Sequence, residues 1–434
     1  MQKASRIFNN IRLALFPLAY ALAGVLIGST LNRVMIADLG FSATLVAFFF
    51  AIPLMVSPVR VWIGYRSDSF LLLGKRREPY IAIGALLIGI GILAITRIMA
   101  QGSSFGLMLL VGVAFLIYGL GRNISHNTFQ ALVAERFSGE ERSRAATMYE
   151  VATMLGMVMG AGFIKASLKV YDPAKLAATA LGVAVAVLLL AILGTVGQEQ
   201  RSTAQPAAEK ARALPFWQAF RNVIWADPQA RVFFAVVVLT FVGTLAQDVL
   251  LEPFGALVLG MPVGETTGLT QFWGIGVLVS MLLSGAFLLK KLGHLRVQRI
   301  GLVLAIFSFL GPIAAGFLGN VGLLKGSVFV MGIGTGLAGA GMLSGTLAFT
   351  SRLRAGMLLG VWGVANMAGH AVGSLMGGIL VDSVRALTGS AFAAYGSVFA
   401  FEIAVLAVAL VLTGRLRFEE AVVVAEEEVG LAAA

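Results

Sequence analysis

The stretch SPVRVWIGYRSDSFLLLGKRREPY, residues 57–80, lies between two long apolar runs and decides how the chain folds. Its cations are Arg60, Arg66, Lys75, Arg76 and Arg77, and its only acids are Asp68 and Glu78. Cations this dense cannot lie in hydrocarbon, so the stretch is predicted to be a short loop at a membrane surface. Short loops with excess Lys and Arg stay in the cytoplasm, and this loop therefore orients the helices on both sides of it.

The composition indicates an all-α integral membrane protein. Hydrophobic residues make up 59% of the 434 residues and charged residues only 12%, whereas a soluble domain has about 25% charged residues. The chain has no cysteine, which excludes disulfides and thiolate metal sites, and no metal site is predicted. Its net charge of +11 does not indicate nucleic-acid binding, because the cations cluster in alternate loops as membrane orientation requires.

Hydropathy predicts twelve transmembrane helices, each long enough to cross about 30 Å of hydrocarbon. They cover residues 13–31, 42–63, 80–99, 104–125, 145–166, 176–196, 231–251, 268–289, 298–318, 322–349, 357–380 and 390–412. With the N-terminus in the cytoplasm, seven of the 32 Lys and Arg residues fall on the opposite side: Arg33, Arg97, Lys165, Lys169, Lys175, Lys325 and Arg385. This asymmetry predicts an inner-membrane protein with both termini in the cytoplasm.

The chain is predicted to consist of two matching halves. Basic loops follow the second and eighth spans, and further Arg-containing loops follow the fourth and tenth. Matching charges at matching positions indicate two pseudo-symmetric six-helix bundles related by an axis normal to the membrane. The bundles are predicted at 1–197 and 231–414, with a cytoplasmic linker at 198–230 and a cytoplasmic tail at 415–434.

The loop between the second and third spans resembles the signature of the major facilitator superfamily. That signature has a Gly, an Asp four residues later, and then a second Gly followed by basic residues. Gly64 and Asp68 match it, and the second glycine comes late, at Gly74. The late position of this glycine differs from the pattern of ordinary transporters. With it, the loop is similar to that of the bacteriochlorophyll delivery family, the PucC and LhaA-type proteins. Residues 127–135 and 141–144 extend the resemblance, which spans all twelve helices.

The resemblance implies a light-harvesting complex assembly factor of the photosynthetic membrane, with no enzymatic activity. Such a protein would deliver (bacterio)chlorophyll to antenna polypeptides or to a reaction-centre antenna ring, or would chaperone those polypeptides in the lipid bilayer. Two other functions remain open. One is a proton-coupled secondary transporter of a small solute, and the other is a non-transporting scaffold subunit of a pigment–protein ring.

Six residues in and beside the basic loop are predicted to form a latch between the two bundles at the cytoplasmic surface. An Asp that caps a helix N-terminus and pairs with Arg is the physical basis of such a latch. Direct contact with a substrate is the alternative. The six residues are Gly64, Arg66, Asp68, Gly74, Arg76 and Arg77.

Four ionisable residues are candidates for a cavity or proton site. Asp248 and Glu252 lie one turn apart on the seventh span and share a face. Pro253 follows directly, so the helix is expected to kink or end there. The two acids are either solvated near the outer surface or face a cavity. Arg122 on the fourth span is costly in hydrocarbon unless it is paired, and Glu150 on the fifth span is a candidate partner.

Three residues are candidates for pigment binding: His370, His126 and Glu402. His370 adjoins a ridge of glycines at four-residue spacing, formed by Gly369, Gly373 and Gly377. An imidazole beside a flat surface suits a chlorophyll magnesium, which is a porphyrin-type exception to the oxygen preference of this metal. The same ridge also suits close packing of two helices, with His370 hydrogen-bonded across the interface.

The predicted orientation can be tested with single cysteines, because the chain has none of its own. We expect Lys75→Cys, in the basic loop, to react with a membrane-impermeant maleimide only after the membrane is permeabilised. Lys175→Cys, at the start of the sixth span, should react in intact cells. The reverse pattern of labelling, or an odd number of crossings, would contradict the predicted orientation.

Overall fold

The computed structural model describes residues 9–137, 139–199, 228–348 and 355–416. Within these ranges the chain is helical apart from short connections, and no strand occurs in them. A few side chains inside the helices lie outside the description, among them those of Asp68, Arg142 and Arg144. Residues 200–227 of the predicted linker and 417–434 of the predicted tail also lie outside the described residues.

Twelve spans occupy the described ranges, and we number them α1–α12. Ten contain helices that are long and apolar enough to cross a membrane. These ten are α1 (Asn9–Asp38), α3 (Glu78–Met99), α4 (Phe105–Arg136), α5 (Gly139–Ser167), α6 (Pro173–Thr195), α8 (Val263–Leu292), α9 (His294–Leu318), α10 (Val321–Ala348), α11 (Ala355–Thr388) and α12 (Ala391–Thr413). The predicted all-α membrane fold is confirmed.

The other two spans, α2 and α7, are each built from two shorter helices. Span α2 comprises Ala43–Met55 and Val59–Ser69, and span α7 comprises Pro228–Leu245 and Leu251–Leu259. Hydropathy predicted both as continuous helices and did not find the break in α2. For α7 it placed the kink at Pro253, whereas the helix already ends at Leu245 and resumes after a turn.

The break in α7 is stabilised by polar groups from two neighbouring helices. Pro253 has no N–H to give to the carbonyl of Val249, four residues earlier. That carbonyl instead accepts a hydrogen bond from the Asn32 amide of α1, at 3.1 Å. The backbone N–H of Gln247, inside the turn, donates to the carboxylate of Glu402 on α12, at 2.8 Å. The lost helical bonds are therefore replaced by side chains of α1 and α12.

The break in α2 is stabilised in the same way. Pro58 follows the first helix, and the N–H of Ser57 bonds to the carbonyl of Leu54, at 3.1 Å. In a continuous helix that N–H would bond to the carbonyl of Pro53, which therefore lacks a backbone partner here. It accepts a hydrogen bond from the amide of Asn123 on α4, at 2.9 Å.

Helix packing in the first half is repeated in the second. Span α1 packs on α5 and α6, α2 on α4, and α3 on α4 and α6. In the second half α7 packs on α11 and α12, α8 on α10, and α9 on α10 and α12. The halves meet where α5 packs on α8 and α2 packs on α11, two contacts that the pseudo-two-fold relation exchanges. The predicted arrangement of two pseudo-symmetric bundles is thus confirmed, while the exact boundaries at 197 and 231 stay predictions.

Glycine residues lie at the closest helix crossings, where a larger side chain would collide with the backbone of the neighbouring helix. At the α3–α4 crossing, a Cβ added to Gly84 would lie 2.6 Å from the backbone nitrogen of Ser125. At the equivalent α9–α10 crossing, a Cβ on Gly301 would overlap the backbone nitrogen of Ala338. The glycine-rich run of α10 serves close packing too, since Gly332 lies against α8 and Gly334 against α9.

We expect Gly301→Ala to destabilise the protein by about 1–3 kcal/mol, because the added methyl group meets backbone that cannot move aside. The measurement is the thermal unfolding midpoint of the purified protein in detergent. Gly326→Ala on α10 is the matched control, since nothing lies within 4 Å of its added Cβ. Equal midpoints for the two variants would show that the α9–α10 crossing is looser than described.

Candidate functional site

A cavity lies between the two halves. It has two adjoining compartments of about 220 and 230 Å³. Tyr20, Gly24, Gly28, Arg122 and Asp248 line both compartments, so the two form one continuous space. Helices of both halves contribute to its wall, and the interface between such repeats is where proteins of this architecture place ligand sites.

The cavity is closed at the end opposite the basic loop. The carboxylate of Asp382 on α11 accepts hydrogen bonds from the backbone N–H groups of Ala43 and Thr44, at 3.0 and 2.8 Å. These two groups open the first helix of α2, where a negative charge is favourable. The backbone N–H of Gly264 on α8 donates to the carbonyl of Lys169, at 3.2 Å, and joins the halves at the same end.

Asp248 and His370 form a pair in the cavity wall. The distance between His370 Nε2 and Asp248 Oδ2 is 3.0 Å, and the two side chains are 31% and 47% exposed. The sequence assigned them to separate candidate sites, a pigment site and a proton site. Both line the second compartment, so the structure brings them into one site.

The glycine ridge beside His370 packs two helices together. A Cβ on Gly369 would lie 2.5 Å from the side chain of Phe241, and one on Gly377 would lie 2.6 Å from the carbonyl of Ala246. The ridge therefore faces α7, and it holds α11 close enough for His370 to reach Asp248. Of the two interpretations of this ridge, close packing is the one that the contacts match.

Glu252 forms the floor of the cavity and is only 4% exposed. Its Oε1 accepts a hydrogen bond from the Thr270 hydroxyl of α8, at 2.8 Å. Its Oε2 accepts one from the Asn32 amide of α1, at 3.4 Å. Glu252 is therefore bound to both halves, and of the two alternatives for this acid the structure places it against a cavity and away from solvent.

Two arginines form the opposite wall. Arg122 donates to the Tyr118 hydroxyl, at 3.2 Å, and its guanidinium carbon lies 4.1 Å from the centre of the Tyr20 ring. No described contact joins it to Glu150, which is exposed on α5. Arg60 on α2 donates through Nε to the Asn123 side-chain oxygen, at 2.5 Å. The partners of Arg122 are thus aromatic rings, which a search for an oppositely charged residue could not find.

Two of the pigment-binding candidates lie outside the cavity wall. His126 stacks on Tyr20 with ring centres 5.0 Å apart, and its Nδ1 is buried with no described hydrogen-bond partner. Glu402 is completely buried and binds the backbone of Gln247 behind the wall. Among the three candidates, the cavity lining includes His370.

The basic loop is anchored within the first half by the contacts that the structure describes. The carboxylate of Glu199 accepts the backbone N–H groups of Arg76 and Arg77, at 2.6 and 2.8 Å, at the start of α3. The Arg77 guanidinium forms an ion pair with Glu135 of α4 and donates to the hydroxyl of Ser67. A latch between the bundles stays a prediction, because the described partners of these two arginines belong to their own half.

The remaining residues of the predicted latch shape the loop. Arg66 lies over the ring of Phe70, at 4.4 Å. Leu73 and Gly74 both have positive φ, 54° and 74°, and form a two-residue turn that glycine favours. Gly64 faces α4, where an added Cβ would lie 3.5 Å from the Asn127 amide, an ordinary van der Waals distance. The side chain of Asp68 lies outside the described residues.

Several residues of the site were not predicted from the sequence. They are Tyr20, Asn32, Arg60, Asn123 and Asp382. The two asparagines gave a signal, since each is an amide beside an arginine, within a predicted span or directly after it. Arg60 was counted with the loop cations, and its place in the second compartment follows from the break at Pro58.

Comparison with known proteins identifies a family that matches most of the chain. The model of the PUCC protein family matches residues 30–421. The chain is 31% identical to Protein PucC of Cereibacter sphaeroides, over 87% of this chain and 84% of that protein. It is 29% identical to a Rhodobacter capsulatus protein named bacteriochlorophyll synthase 44.5 kDa chain, over 89% of this chain and 90% of that protein. The family predicted from the basic loop is confirmed.

The fold is similar to that of the nucleoside transporter NupG. The TM-score is 0.72, the sequence identity is 15%, and the match covers 94% of this chain and 98% of that chain. At this identity the likeness shows the fold alone, and it confirms the predicted major facilitator fold. Other solved structures with this fold are also membrane transporters.

We expect Asp382→Asn to weaken the closed end of the cavity. An amide offers one oxygen to the two N–H groups and turns its own NH₂ toward the other, so hydrogen bonds worth about 1.5–3 kcal/mol each are lost or impaired. A single cysteine at Met157, in the cavity wall, should then react several-fold faster with a maleimide added to that end. Asp172→Asn is the matched control, because Asp172 caps α6 within one half. Equal labelling rates would show that Asp382 does not hold the halves together.

Proposed function

The chain belongs to the PUCC protein family, and we propose that it is a light-harvesting complex assembly factor. It binds (bacterio)chlorophyll in the membrane and hands it to antenna polypeptides. The name of one relative associates that protein with bacteriochlorophyll. A protein with this fold is a nucleoside transporter, and transporters built from two repeats bind their substrates at the repeat interface. A carrier of this kind performs no enzymatic chemistry.

The observation that carries the proposal is the Asp248–His370 pair. A histidine that ligates a metal usually holds a carboxylate with its other ring nitrogen, which fixes the ring and strengthens the ligand. His370 contacts Asp248 through one nitrogen and is partly exposed at the cavity. The described residues contain no group of three or more His, Asp or Glu side chains that could hold a metal ion. A magnesium already held by its own macrocycle needs only one such ligand, so this single histidine fits the pigment.

The wall around the pair supports an aromatic cargo. Phe50 is partly exposed and lines the second compartment together with His370, whereas Phe115 and Tyr118 border the compartment as buried rings, 0% and 1% exposed. The ring of Tyr20 adjoins both compartments. Aromatic rings of this kind bury large flat surfaces and favour offset stacking. The chain's part in delivery is therefore to orient the cargo against these rings, to exclude water from it, and to release it to a partner.

The partner and the orientation belong to the same proposal. The antenna polypeptides or a reaction-centre antenna ring would accept the pigment within the membrane. Both termini would lie in the cytoplasm, because the basic loops lie on that side of the predicted topology. The protein would therefore work in the inner photosynthetic membrane.

A second function, proton-coupled transport of a small solute, is favoured by Glu252. This acid lies at the cavity floor and is hydrogen-bonded to Asn32 in the first half. A proton bound to the oxygen facing Asn32 would replace an acceptor by a donor and break that bond. Protonation would then loosen one of the described contacts that close the cavity, as coupling of protons to a conformational change requires.

We expect the gently purified protein to carry a pigment with a (bacterio)chlorophyll absorption spectrum. His370→Ala should reduce the pigment-to-protein ratio several-fold, because it removes the imidazole that would hold the pigment's magnesium. His294→Ala is the matched control, since His294 begins α9 and does not line the cavity. In cells, deletion of the protein should lower the antenna level without stopping pigment synthesis.

The alternatives give different results in the same experiments. Proton-driven uptake of a solute in proteoliposomes, abolished by Asp248→Asn, would favour transport. Stable purification with antenna polypeptides but without pigment would favour a scaffold. A normal antenna level in the deletion strain would exclude the proposed assembly function.

A further inference from the structure

Two arginines line the second compartment and contact neutral oxygen atoms. Arg60 donates through Nε to the side-chain oxygen of Asn123, at 2.5 Å, and Arg122 donates to the hydroxyl of Tyr118, at 3.2 Å. Both arginine side chains are partly exposed. An arginine inside a membrane span is costly, and it is kept where it faces a cavity and contacts a ligand. The two arginines therefore mark a second part of the ligand site, in the same compartment as His370.

The formal charges of the described lining residues balance without a ligand. The first half contributes the two guanidinium groups, and the second half contributes the carboxyl groups of Asp248 and Glu252. An anionic ligand would add an excess negative charge at membrane depth, which is unfavourable. The lining therefore favours a neutral ligand, whose oxygen atoms can accept hydrogen bonds from the guanidinium groups.

A buried amide fixes the direction of the Arg60 guanidinium. Asn123 is 2% exposed, and its NH₂ group donates to the carbonyls of Pro53 and Gly119, at 2.9 and 2.8 Å. These bonds orient its side-chain oxygen, which accepts the Nε–H of Arg60. A guanidinium has five N–H donors, and the described contact of Arg60 uses one of them. Its two terminal NH₂ groups can therefore donate to a ligand.

Arg122 is held in place by two aromatic rings and a glycine. Its guanidinium carbon lies 4.1 Å from the centre of the Tyr20 ring and 5.7 Å from that of the Tyr118 ring. Gly24 leaves room for it beside α1, since an added Cβ would lie 3.7 Å from Nη1. Cation–π contact orients a guanidinium and keeps it charged. Both arginines thus have fixed positions in the cavity wall before a ligand binds.

We propose that Arg60 and Arg122 donate hydrogen bonds to the ketone oxygen at the edge of the pigment ring, and so select and orient a macrocycle that has this ketone. The inference rests on the proposed pigment function and deepens it. A chlorophyll-type pigment has a ketone conjugated with its macrocycle, and the ketone oxygen is a neutral acceptor in the esterified pigment. A ring held only by a bond from its metal to His370 could still rotate about that bond. Hydrogen bonds at one edge would stop this rotation.

The test is a binding titration of the full-length protein in nanodiscs of zwitterionic lipid, with empty nanodiscs to correct for pigment dissolved in the lipid. The probes are chlorophyll a, whose ring ketone is its single conjugated carbonyl, and the same esterified pigment with this ketone reduced to a methylene group. We expect chlorophyll a to bind at least about tenfold more tightly, because hydrogen bonds from charged groups are stronger than those between neutral groups. Its ketone stretching frequency in the resonance Raman spectrum should be lower than in empty nanodiscs, since a hydrogen bond weakens the carbonyl double bond.

The variants Arg60→Met and Arg122→Met remove the donors and keep an unbranched side chain. Each should reduce the preference for the ketone several-fold and raise the ketone stretching frequency, and the double variant should abolish both effects. Binding of the methylene pigment should stay unchanged in these variants, which shows that they are folded and still ligate the metal. Arg97→Met is the matched control, since it also removes one positive charge but lies exposed at the end of α3.

The outcomes separate this inference from the proposed function. Equal affinity of the two probes for the unaltered protein, or an unshifted ketone frequency, would overturn the inference and leave the pigment function intact. A double variant that keeps the preference and the frequency shift would assign the hydrogen bond to other residues and also overturn it. Binding of neither probe to the unaltered protein would overturn the inference together with the proposed pigment function.

Discussion

A backbone polar group without a partner costs several kcal/mol in hydrocarbon, and this constraint shapes the whole interior of the protein. Two of the twelve spans in the described ranges are broken, and each break frees carbonyl or N–H groups inside the helix bundles. Asn123 supplies the missing partner in α2, and Asn32 and Glu402 supply the partners in α7. The few polar side chains inside the bundles are therefore fixed by backbone groups as well as by each other.

The hydrogen bonds at these two helix breaks also position the residues of the cavity. Asn123 binds the freed carbonyl of α2 with its NH₂ group and orients Arg60 with its oxygen. Asn32 binds the freed carbonyl of α7 and also contacts Glu252 at the cavity floor. Each asparagine thus joins a helix break to an ionisable residue of the site. The breaks supply backbone groups that hold the polar side chains of the cavity in place. A continuous helix has no such free groups, because its N–H and carbonyl groups bond to each other.

The cavity is electrostatically divided between the two halves. The first half contributes Arg60 and Arg122, and the second contributes Asp248, Glu252 and His370. The acids have partners within the described residues, whereas the arginines have only neutral ones. A flat ligand with a metal that accepts an imidazole would contact residues of both halves. Such a ligand also touches both halves, so its binding and release are coupled to how the halves meet.

The sequence by itself determined the membrane class, the all-α fold with two matching halves, and the family, because hydropathy, the sidedness of charge and the motif of the basic loop are all local features of the chain. It also named Asp248, Glu252, Arg122 and His370 as unusual residues for hydrocarbon. Only the tertiary structure decided their partners. Asp248 reaches His370 because glycines bring α11 onto α7, and Arg122 faces two tyrosines rather than Glu150. Contacts between side chains more than a hundred residues apart depend on helix rotation and on helix breaks, and a one-dimensional pattern of apolar and charged residues contains neither.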